Sequence, residues 1–216
     1  MKNVAIVGAN GKMGKLLFEN IKDKYNVIKI TENNTLSDYK NIDLVVDFAC
    51  ALSSVISASF CAKNKIPILI ASTGQSKSDL KKIEKYSLQT PIMVSSNLSI
   101  GIFFVKKIID SIIDLYDYDI TIYEKHHREK KDKPSGTAKM LYDYIISKKE
   151  HKIDILSQRG GREIGTHEIS FYFDDELISI KHTAFSRMAF IKGAILAIDY
   201  LINQKQPKLY YFEDLI

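Results

Sequence analysis

Several features that would assign the chain to a particular class of protein are missing from its sequence. No run approaches the roughly eighteen consecutive apolar residues of a membrane-spanning helix, and there is no internal repeat or low-complexity segment. The two cysteines, Cys50 and Cys61, are not spaced as metal ligands. The apolar run at residues 4–7 is too short for a signal peptide. We therefore expect a cytoplasmic protein with reduced cysteines and no membrane association.

A strong charge of either sign is also absent. The 216 residues include 31 lysines and arginines against 26 acidic residues, a formal net charge of +5. This excess is too small to predict nucleic-acid binding, but it would help to attract an anionic substrate or cofactor. The length and a hydrophobic content of 45% allow one large domain or two small lobes, and we favour two lobes.

The first half of the chain opens with a glycine-rich turn between a strand and a helix. Residues 4–7 are apolar, and apolar residues recur at helical spacing over residues 13–21. Between these segments, Gly8, Gly11 and Gly14 follow one another at intervals of three. Such glycines let backbone amides approach a pyrophosphate, whose negative charge the start of a helix favours. The turn therefore predicts dinucleotide binding.

The segments after this turn alternate between strand and helix. A second apolar strand, residues 27–30, leads to Glu32, which is placed to bind the hydroxyls of the adenosine ribose. The alternation continues with strands at residues 44–48, 68–70 and 92–94, and with helices at 52–64, where Val55, Ile56 and Phe60 share one side, and 78–86. This order predicts an α/β domain with a Rossmann-type parallel sheet.

The second half has a different pattern. A helix is predicted at residues 100–116, and alternating strands are predicted at 118–123, 153–156, 168–173 and 177–182. These strands indicate an α+β domain with a mixed or antiparallel sheet. We therefore expect a dinucleotide-binding domain at residues 1–97 and a substrate-binding, catalytic and oligomerisation domain at 98–187. The C-terminal segment, about residues 188–216, is expected to pack back on the first domain.

A basic stretch, residues 123–138, combines cations with two adjacent histidines. It contains His126, His127, four lysines and an arginine, and it ends in Pro-Ser-Gly-Thr, which opens a helix. Backbone amides at a helix start bind anions, and histidine exchanges protons near neutral pH. We expect a loop that holds an anion and moves a proton. A metal is not expected, because adjacent histidines rarely point at one ion.

This stretch resembles the signature of the dihydrodipicolinate reductase family, nicotinamide-dependent enzymes of diaminopimelate and lysine synthesis. The family pattern is E-x-H-H-x-x-K-x-D-x-P-S-G-T-A, and the chain reads Glu124-Lys125-His126-His127-Arg128-Glu129-Lys130-Lys131-Asp132-Lys133-Pro134-Ser135-Gly136-Thr137-Ala138. Shorter similarities span nearly the whole chain: Lys12-Met13-Gly14, Val46-Asp47-Phe48, Ser72-Thr73-Gly74, Asn97-Leu98-Ser99-Ile100-Gly101 and His182-Thr183-Ala184-Phe185-Ser186-Arg187-Met188-Ala189-Phe190.

The resemblance implies a role for individual residues. It implies that His126 donates and accepts the proton, that Lys130 is a second proton donor, and that a carboxylate of a cyclic dicarboxylate substrate binds His127, Gly136 and Thr137. The positions that match the family's contacts to NADH or NADPH are Gly8, Ala9, Asn10, Gly11, Lys12, Met13, Glu32, Ala71, Ser72, Thr73, Ser95, Ser96, Asn97 and Leu98. His167 and His182 receive no catalytic role, and His151 is expected at the surface. The family also tends to form tetramers through the second sheet, which implies a homotetramer.

One departure from the family bears on cofactor choice. Asn33 follows Glu32 at a position where an arginine can hold the 2′-phosphate of NADPH. Because the acidic residue is present and the arginine is absent, we expect NADH to be favoured, although Lys12 could still contact a phosphate.

Three other kinds of function remain open from the sequence. A related dehydrogenase acting on an amino acid would share the cofactor turn, and a non-catalytic sensor would bind the dinucleotide without oxidising it. A nucleic-acid module would need a broader basic patch with aromatic residues among the cations. Assays with candidate substrates separate the first two from a reductase, and a steep salt dependence of nucleic-acid binding would favour the third.

Overall fold

The computed structural model describes residues 1–114, 118–150 and 152–215 of the chain. The chain divides into two compact units. Unit 1 comprises Met1–Leu98 together with Phe190–Ile216, and unit 2 comprises Ser99–Ala189. Unit 1 is therefore built from two separate segments of the chain, whereas unit 2 is built from one.

Unit 1 contains a parallel sheet and the helices that connect its strands. Its elements are β1 (Asn3–Val7), α1 (Lys12–Ile21), β2 (Asn26–Ile30), a 3-10 turn (Leu36–Asp38), β3 (Leu44–Asp47), α2 (Ala51–Asn64), β4 (Ile68–Ile70), α3 (Lys77–Ser87), β5 (Ile92–Val94), most of α6 (Met188–Leu201), β10 (Leu209–Tyr210) and a second 3-10 turn (Phe212–Leu215). The strand order is β10-β5-β4-β3-β1-β2, with every neighbouring pair parallel. The predicted Rossmann-type sheet is confirmed.

The inner strands of unit 1, β1, β3, β4 and β5, are short apolar runs because their side chains are buried on both faces of the sheet. Ala5, Val45, Ile68 and Ile92, from four neighbouring strands, are fully buried in one core cluster. Parallel strands of this kind show continuous rather than alternating hydrophobicity. Their carboxyl ends lie at one edge of the sheet, so the residues that follow them are brought to the same side of the unit.

Helix α2 packs on the core through Val55 and Phe60 of its predicted apolar side and through its small residues, whereas Ile56 departs from the prediction. Ile56 is 61% exposed, whereas Ser57 and Cys61 are buried. The carboxylate of Asp47, at the end of β3, accepts hydrogen bonds from the hydroxyls of Ser53 and Ser57, each at 2.8 Å. A buried carboxylate needs such partners, and they turn the small, hydroxyl-bearing side of α2 inward.

The described residues of unit 2 combine a four-stranded mixed sheet with two helices. Its elements are α4 (Ile100–Ile112), β6 (Asp119–His126), α5 (Gly136–Lys148), β7 (Ile153–Arg159), β8 (Gly165–Tyr172) and β9 (Leu177–Ala184). The strand order is β7-β6-β8-β9; β6 and β7 are parallel, and the other neighbours are antiparallel. Ile122 and Ile169 of the sheet are buried in one cluster with Ile109 of α4 and Leu141 of α5. A mixed sheet is one of the two arrangements that the sequence predicts.

Strand β6 extends further than the sequence suggests. It ends at His126, because β7 pairs with it up to the partners His126 and Arg159, and β8 pairs with it up to Lys125 and Thr166. The expectation of a loop is therefore wrong for residues 124–126, which are strand. The last residues of the predicted helix 100–116 and the predicted surface residue His151 lie outside the described residues.

In the described part of the chain, no helix has both the length and the apolar character that crossing a membrane requires.

Candidate active site

The site in unit 2 is built on Glu124 and His126, two residues apart on β6. Side chains two apart in a strand point to the same face, and these two follow the buried Ile120 and Ile122. Glu124 is fully buried and His126 is 6% exposed. The Nδ1 atom of His126 lies 2.5 Å from Oε2 of Glu124. The carboxylate therefore engages one ring nitrogen of the histidine and fixes the plane of the ring.

Arg159 of β7 binds the same carboxylate. It pairs with His126 in the parallel register of β6 and β7, which brings its guanidinium to Glu124. Nη1 donates to Oε2 at 2.8 Å and Nη2 donates to Oε1 at 2.7 Å, a bidentate pair. The guanidinium also donates to the backbone oxygens of Lys130, at 3.3 Å from Nε, and of Asp132. Arg159 therefore joins Glu124 to the loop that follows β6.

The charges around Glu124 and His126 shift both pKa values downward. Burial would raise the pKa of Glu124, but hydrogen bonds from Arg159, Ser157 and His126 outweigh it and lower the pKa to about 2. Burial lowers the pKa of His126 below its ordinary value; Glu124 opposes that shift, while the positive charges of Lys130 and Arg159 add to it. Glu124 is therefore a permanent anion at neutral pH, and His126 is a weaker base than a free histidine.

His167 of β8 lies beside this pair. Its ring is 5.1 Å from that of His126 in an edge-to-face arrangement, and its Nε2 lies 3.0 Å from the hydroxyl oxygen of Ser135. Burial, and then the charge of His126, lower the pKa of His167 to about 3. His167 is therefore neutral at physiological pH. Its Nδ1 is buried without a hydrogen-bond partner among the described residues.

Ser135 connects the site to helix α5. Its hydroxyl accepts a hydrogen bond from the backbone N–H of Ala138 at 3.1 Å, which caps the helix. Its own backbone N–H donates to Oε1 of Glu124 at 3.2 Å. The predicted substrate residues Gly136 and Thr137 are the first two residues of this helix, where backbone amides favour an anion.

The other two predicted residues of this site lie in the loop after β6. Lys130 is partly buried, and its ammonium nitrogen lies 2.8 Å from Oδ1 of Asp132. Its backbone N–H donates to the carbonyl oxygen of His127 at 3.1 Å, while the N–H of His127 donates to the carbonyl of Glu163 at 2.8 Å. Backbone contacts therefore order the loop that carries both side chains.

In unit 1 a cavity of about 420 Å³ lies at the carboxyl ends of β1, β2 and β3. It is lined by Val7, Gly8, Asn10, Gly11, Ile30, Thr31, Glu32, Phe48, Ala49 and Ser53. Four of the predicted cofactor residues are among them. The side-chain nitrogen of Asn10 lies 3.3 Å from both carboxylate oxygens of Glu32, which holds the carboxylate at the rim.

The glycine turn beside this cavity is too tight for side chains at two positions. A β-carbon on Gly14 would lie 2.3 Å from the carbonyl oxygen of Gly8 and 2.8 Å from Cα of Ala9. Gly8 has φ +79°, in the left-handed region that favours glycine. The turn therefore leaves bare backbone at the start of α1, which fits the diphosphate of a dinucleotide.

The remaining predicted cofactor residues belong to unit 1 but are not among the described lining of this cavity. Ala9, Lys12 and Met13 belong to the glycine turn and the start of α1, whereas Ala71, Ser72, Thr73, Ser95, Ser96, Asn97 and Leu98 follow β4 and β5. The hydroxyl of Ser72 accepts a hydrogen bond from Gln75 at 3.1 Å, and that of Ser95 donates to the carbonyl of Asn97 at 2.8 Å. These hydroxyls shape their own turns.

Sequence reasoning assigned no role to three residues of the unit 2 site: Glu124, Arg159 and His167. Glu124 stands within the family pattern, so its position was visible. For Arg159 the sequence offers one indication of a role: it is a cation at the end of a strand, directly before Gly160 and Gly161. The register that places it opposite His126 is a tertiary property. Among the described residues, no group of three or more His, Cys, Asp or Glu side chains is arranged to hold a metal ion.

The sequence matches known families over nearly its whole length. Residues 2–98 match the family model described as dihydrodipicolinate reductase, N-terminus, and residues 101–216 match the one described as its C-terminus. The chain is 37% identical to the 4-hydroxy-tetrahydrodipicolinate reductase of Rickettsia rickettsii, covering 100% of this chain and 99% of that protein. It is 36% identical to the enzyme of that name from Caldanaerobacter subterraneus, covering 100% and 98%.

Solved structures show the same fold. The chain aligns with dipicolinate-bound dihydrodipicolinate reductase from Paenisporosarcina sp. TG-14 with a TM-score of 0.77 and 21% identity, covering 100% of both chains. It aligns with aspartate dehydrogenase from Thermotoga maritima with a TM-score of 0.58 and 14% identity, covering 95% of this chain and 97% of that one. At these identities the likeness concerns the fold alone.

Proposed function

The chain belongs to the dihydrodipicolinate reductase family, and from that premise we propose how its own residues carry out the reaction. The enzyme reduces 4-hydroxy-tetrahydrodipicolinate to tetrahydrodipicolinate, a step of diaminopimelate and lysine synthesis, at the expense of NAD(P)H. The observation that carries the residue roles is the buried His126–Glu124 pair beside the start of α5. This pair places the imidazole of His126 next to the backbone amides at the start of α5, which suit a carboxylate of the substrate.

The overall change replaces a ring hydroxyl by hydrogen. One hydride and one proton are taken up and one molecule of water is released, so the atoms and charges balance. The dinucleotide supplies the hydride when it is bound. The protein must therefore supply a proton, hold two negative carboxylates and keep the ring oriented.

His126 is the proton donor in this proposal. With Nδ1 engaged by Glu124, the protonated ring gives up the proton on Nε2, and the neutral ring keeps its Nδ1 proton against the carboxylate. Water or Lys130 then returns a proton to Nε2. Lys130 is the second donor, supported by its place in the ordered loop that Arg159 contacts.

The substrate carboxylates are assigned to His127 and to the start of α5. Gly136 and Thr137 open a 13-residue helix capped by Ser135, and the positive end of the helix dipole there favours an anion. Lys130 adds positive charge to the loop between them. This arrangement suits a dicarboxylate better than a neutral substrate.

NADH is the preferred cofactor in this proposal. Glu32 lines the unit 1 cavity and is held by Asn10, so a carboxylate is in place for the ribose hydroxyls. The same carboxylate would repel a 2′-phosphate, and Asn33 offers no compensating charge. Lys12, at the start of α1, carries a positive charge that favours a phosphate, so we expect NADPH to bind as well, but more weakly than NADH.

We further propose a cytoplasmic homotetramer that assembles through the sheet of unit 2. Helices α4 and α5 pack on one face of that sheet, whereas Leu156, Tyr172 and Leu177 on the other face are about half exposed. An apolar sheet face of this kind favours burial against another copy. Sedimentation equilibrium of the purified protein tests the assembly, and a monomer at micromolar concentration would reject it.

The deciding experiment is an assay of NADH and NADPH oxidation with freshly generated 4-hydroxy-tetrahydrodipicolinate. We expect oxidation with both cofactors and a higher kcat/KM with NADH. Oxidation only with an amino acid or its imine would favour the related dehydrogenase, and cofactor binding without oxidation would favour the sensor.

Variants test the assigned roles in the same assay. His126→Ala and Lys130→Ala should each lower kcat by about 10²- to 10⁴-fold, because each loses a proton donor, while the Kd of NADH changes little. Lys131→Ala is the matched control, since Lys131 is an exposed neighbour in the same loop. Near-normal turnover in both test variants would remove the acid roles.

A further inference from the structure

The geometry points to Glu124 and Arg159 as a positioning pair for the proposed reaction. In this inference, the pair holds His126 in the tautomer that leaves Nε2 for proton exchange, and it fixes His126 relative to the start of α5. The inference rests on the proposed function and deepens it. Neither residue needs to touch the substrate, so we describe them as positioning residues rather than catalytic ones.

The first argument is the complete use of the Glu124 carboxylate. Oε2 lies within hydrogen-bond distance of His126 Nδ1 at 2.5 Å and of Arg159 Nη1 at 2.8 Å. Oε1 accepts from Arg159 Nη2 at 2.7 Å and from the backbone N–H of Ser135 at 3.2 Å. A carboxylate offers about four acceptor positions, so it cannot rotate without breaking one of these contacts. Its orientation is therefore fixed by these three residues together with the hydrogen bond from Ser157.

The second argument is what these contacts join. One donor is the proposed proton donor His126, one is the residue before the proposed carboxylate-binding turn, and one is Arg159. The Arg159 guanidinium also donates to the backbone oxygens of Lys130 and Asp132. The pair therefore links β6, the loop that carries Lys130 and the start of α5. Displacement of a reacting group by about 1 Å can cost 10²-fold in rate, so such a link bears directly on turnover.

The third argument concerns stability. The Glu124 side chain is fully buried and that of Arg159 is 8% exposed. A buried ion pair generally stabilises a fold no better than well-packed apolar residues of the same volume. Stability alone therefore gives little reason for this pair at this place, whereas a fixed tautomer and a fixed distance require these donors and acceptors.

The inference can be tested by the direction in which the pKa of His126 shifts when a charge that faces it is removed. Glu124 is negative; Arg159 and Lys130 are positive; His167 is neutral at physiological pH. Removing the negative charge should lower the pKa of His126, and removing the positive charge of Arg159 should raise it. A purely structural role for the pair predicts instead that the tautomer of His126 and the kcat at each variant's own optimum stay unchanged.

The experiment compares Glu124→Gln and Arg159→Gln with the wild-type enzyme. Histidines labelled with ¹⁵N are titrated by NMR, and the His126 signals are assigned from their loss in His126→Ala. In the wild type we expect the neutral ring to carry its proton on Nδ1. The pKa of His126 should fall by about one unit or more in Glu124→Gln and rise by a similar amount in Arg159→Gln.

Kinetics provide the second measurement. Because the reaction needs protonated His126, the alkaline limb of the kcat/KM profile should move to lower pH in Glu124→Gln and to higher pH in Arg159→Gln. At its own optimum each variant should lose at least about tenfold in kcat, with the Kd of NADH unchanged. Glu84→Gln, an exposed substitution of the same kind on α3 of unit 1, is the matched control and should shift neither profile.

Each outcome decides the question. Opposed pKa shifts with loss of kcat support the positioning role. Unshifted titrations, shifts of one sign in both variants, or a neutral wild-type ring protonated on Nε2 would overturn it. If Glu124→Gln fails to fold, Arg159→Gln and the wild-type tautomer still decide. If the wild type does not reduce the substrate, the proposed function fails, while the NMR titrations still judge the positioning of His126.

Discussion

The Nε2 atom of His126 occupies the space in which a side chain of Gly165 would begin. A β-carbon built on Gly165 would lie 2.8 Å from this nitrogen and 3.1 Å from Cδ2 of the same ring. The first residue of β8 is therefore small because the imidazole of β6 lies over it. The backbone of Gly165 does not have a positive φ, so the requirement for glycine here is steric.

We expect Gly165→Ala to lower kcat by about 10- to 100-fold, because the added methyl group must push the His126 ring away from its position. The Kd of NADH should not change. Steady-state kinetics and fluorescence titration of NADH measure the two effects. Gly160→Ala is the matched control, since a β-carbon there meets nothing within 4 Å. Equal kcat values for the two variants would show that the ring tolerates the methyl group.

We expect Glu32→Ala to weaken NADH binding by about 10- to 100-fold, because the variant loses the charge-assisted hydrogen bonds to the ribose. NADPH binding should weaken less or improve, because a negative charge is removed near the 2′-phosphate. Isothermal titration calorimetry with both cofactors gives the two Kd values. Glu84→Ala, an exposed substitution on α3, is the control. Equal losses for both cofactors would mean that Glu32 does not contact the ribose.

We expect Gly14→Ala to destabilise unit 1 by about 1–3 kcal/mol or more, because the new β-carbon meets backbone atoms of Gly8 and Ala9 that cannot move independently. Gly11→Ala should cost less, since its β-carbon would meet only the carbonyl oxygen of Gly8, at 3.2 Å. Urea unfolding monitored by circular dichroism measures both. A Gly14 variant as stable as the wild type would mean that the turn can open.

We expect acid to destabilise the fold partly through His167. Its folded pKa of about 3 lies below its ordinary value of 6.5, so between these pH values the unfolded state binds the extra proton. The stability it contributes is complete above pH 6.5 and is lost as the pH falls toward 3. In His167→Gln, which keeps a polar group for Ser135, the free energy of unfolding should fall less steeply, by about 1 kcal/mol per pH unit between pH 6 and 4. The free energies of unfolding are measured by urea unfolding at each pH. Equal slopes of this free energy against pH for the two proteins would contradict the prediction.

Much of the fold could be predicted because local patterns determine it. The strands of unit 1 are apolar runs bounded by glycine or small polar residues, and helix α3 begins at a capping box formed by Ser76 and Asp79. Strand β10 could not be predicted, because Leu209 and Tyr210 become a strand only by pairing with β5. The burial of Ser57 on α2 could not be predicted for a similar reason, since it depends on the carboxylate of Asp47 at the end of β3.

The site was predictable in part. The residues expected to act, His126 and Lys130, stand in a short segment that carries its own signal. The rest of the site depends on partners distant in the sequence: Arg159 lies 35 residues after Glu124, and Gly165 and His167 come from the next strand. From the sequence alone, a charged residue such as Glu124 is expected in an exposed loop, because its buried partners are not known. For this reason the predicted strand ended earlier than β6 does.

The pairing of β10 with β5 also bears on the order in which the chain folds during synthesis. Residues 99–189 form a continuous unit and can fold once they have left the ribosome. The sheet of unit 1 is completed last, because the edge of β5 stays open until Leu209 and Tyr210 have been made. An unpaired strand edge is a hazard for association between nascent chains. Growing chains that stall after unit 2 should therefore depend on chaperones more than the finished protein does.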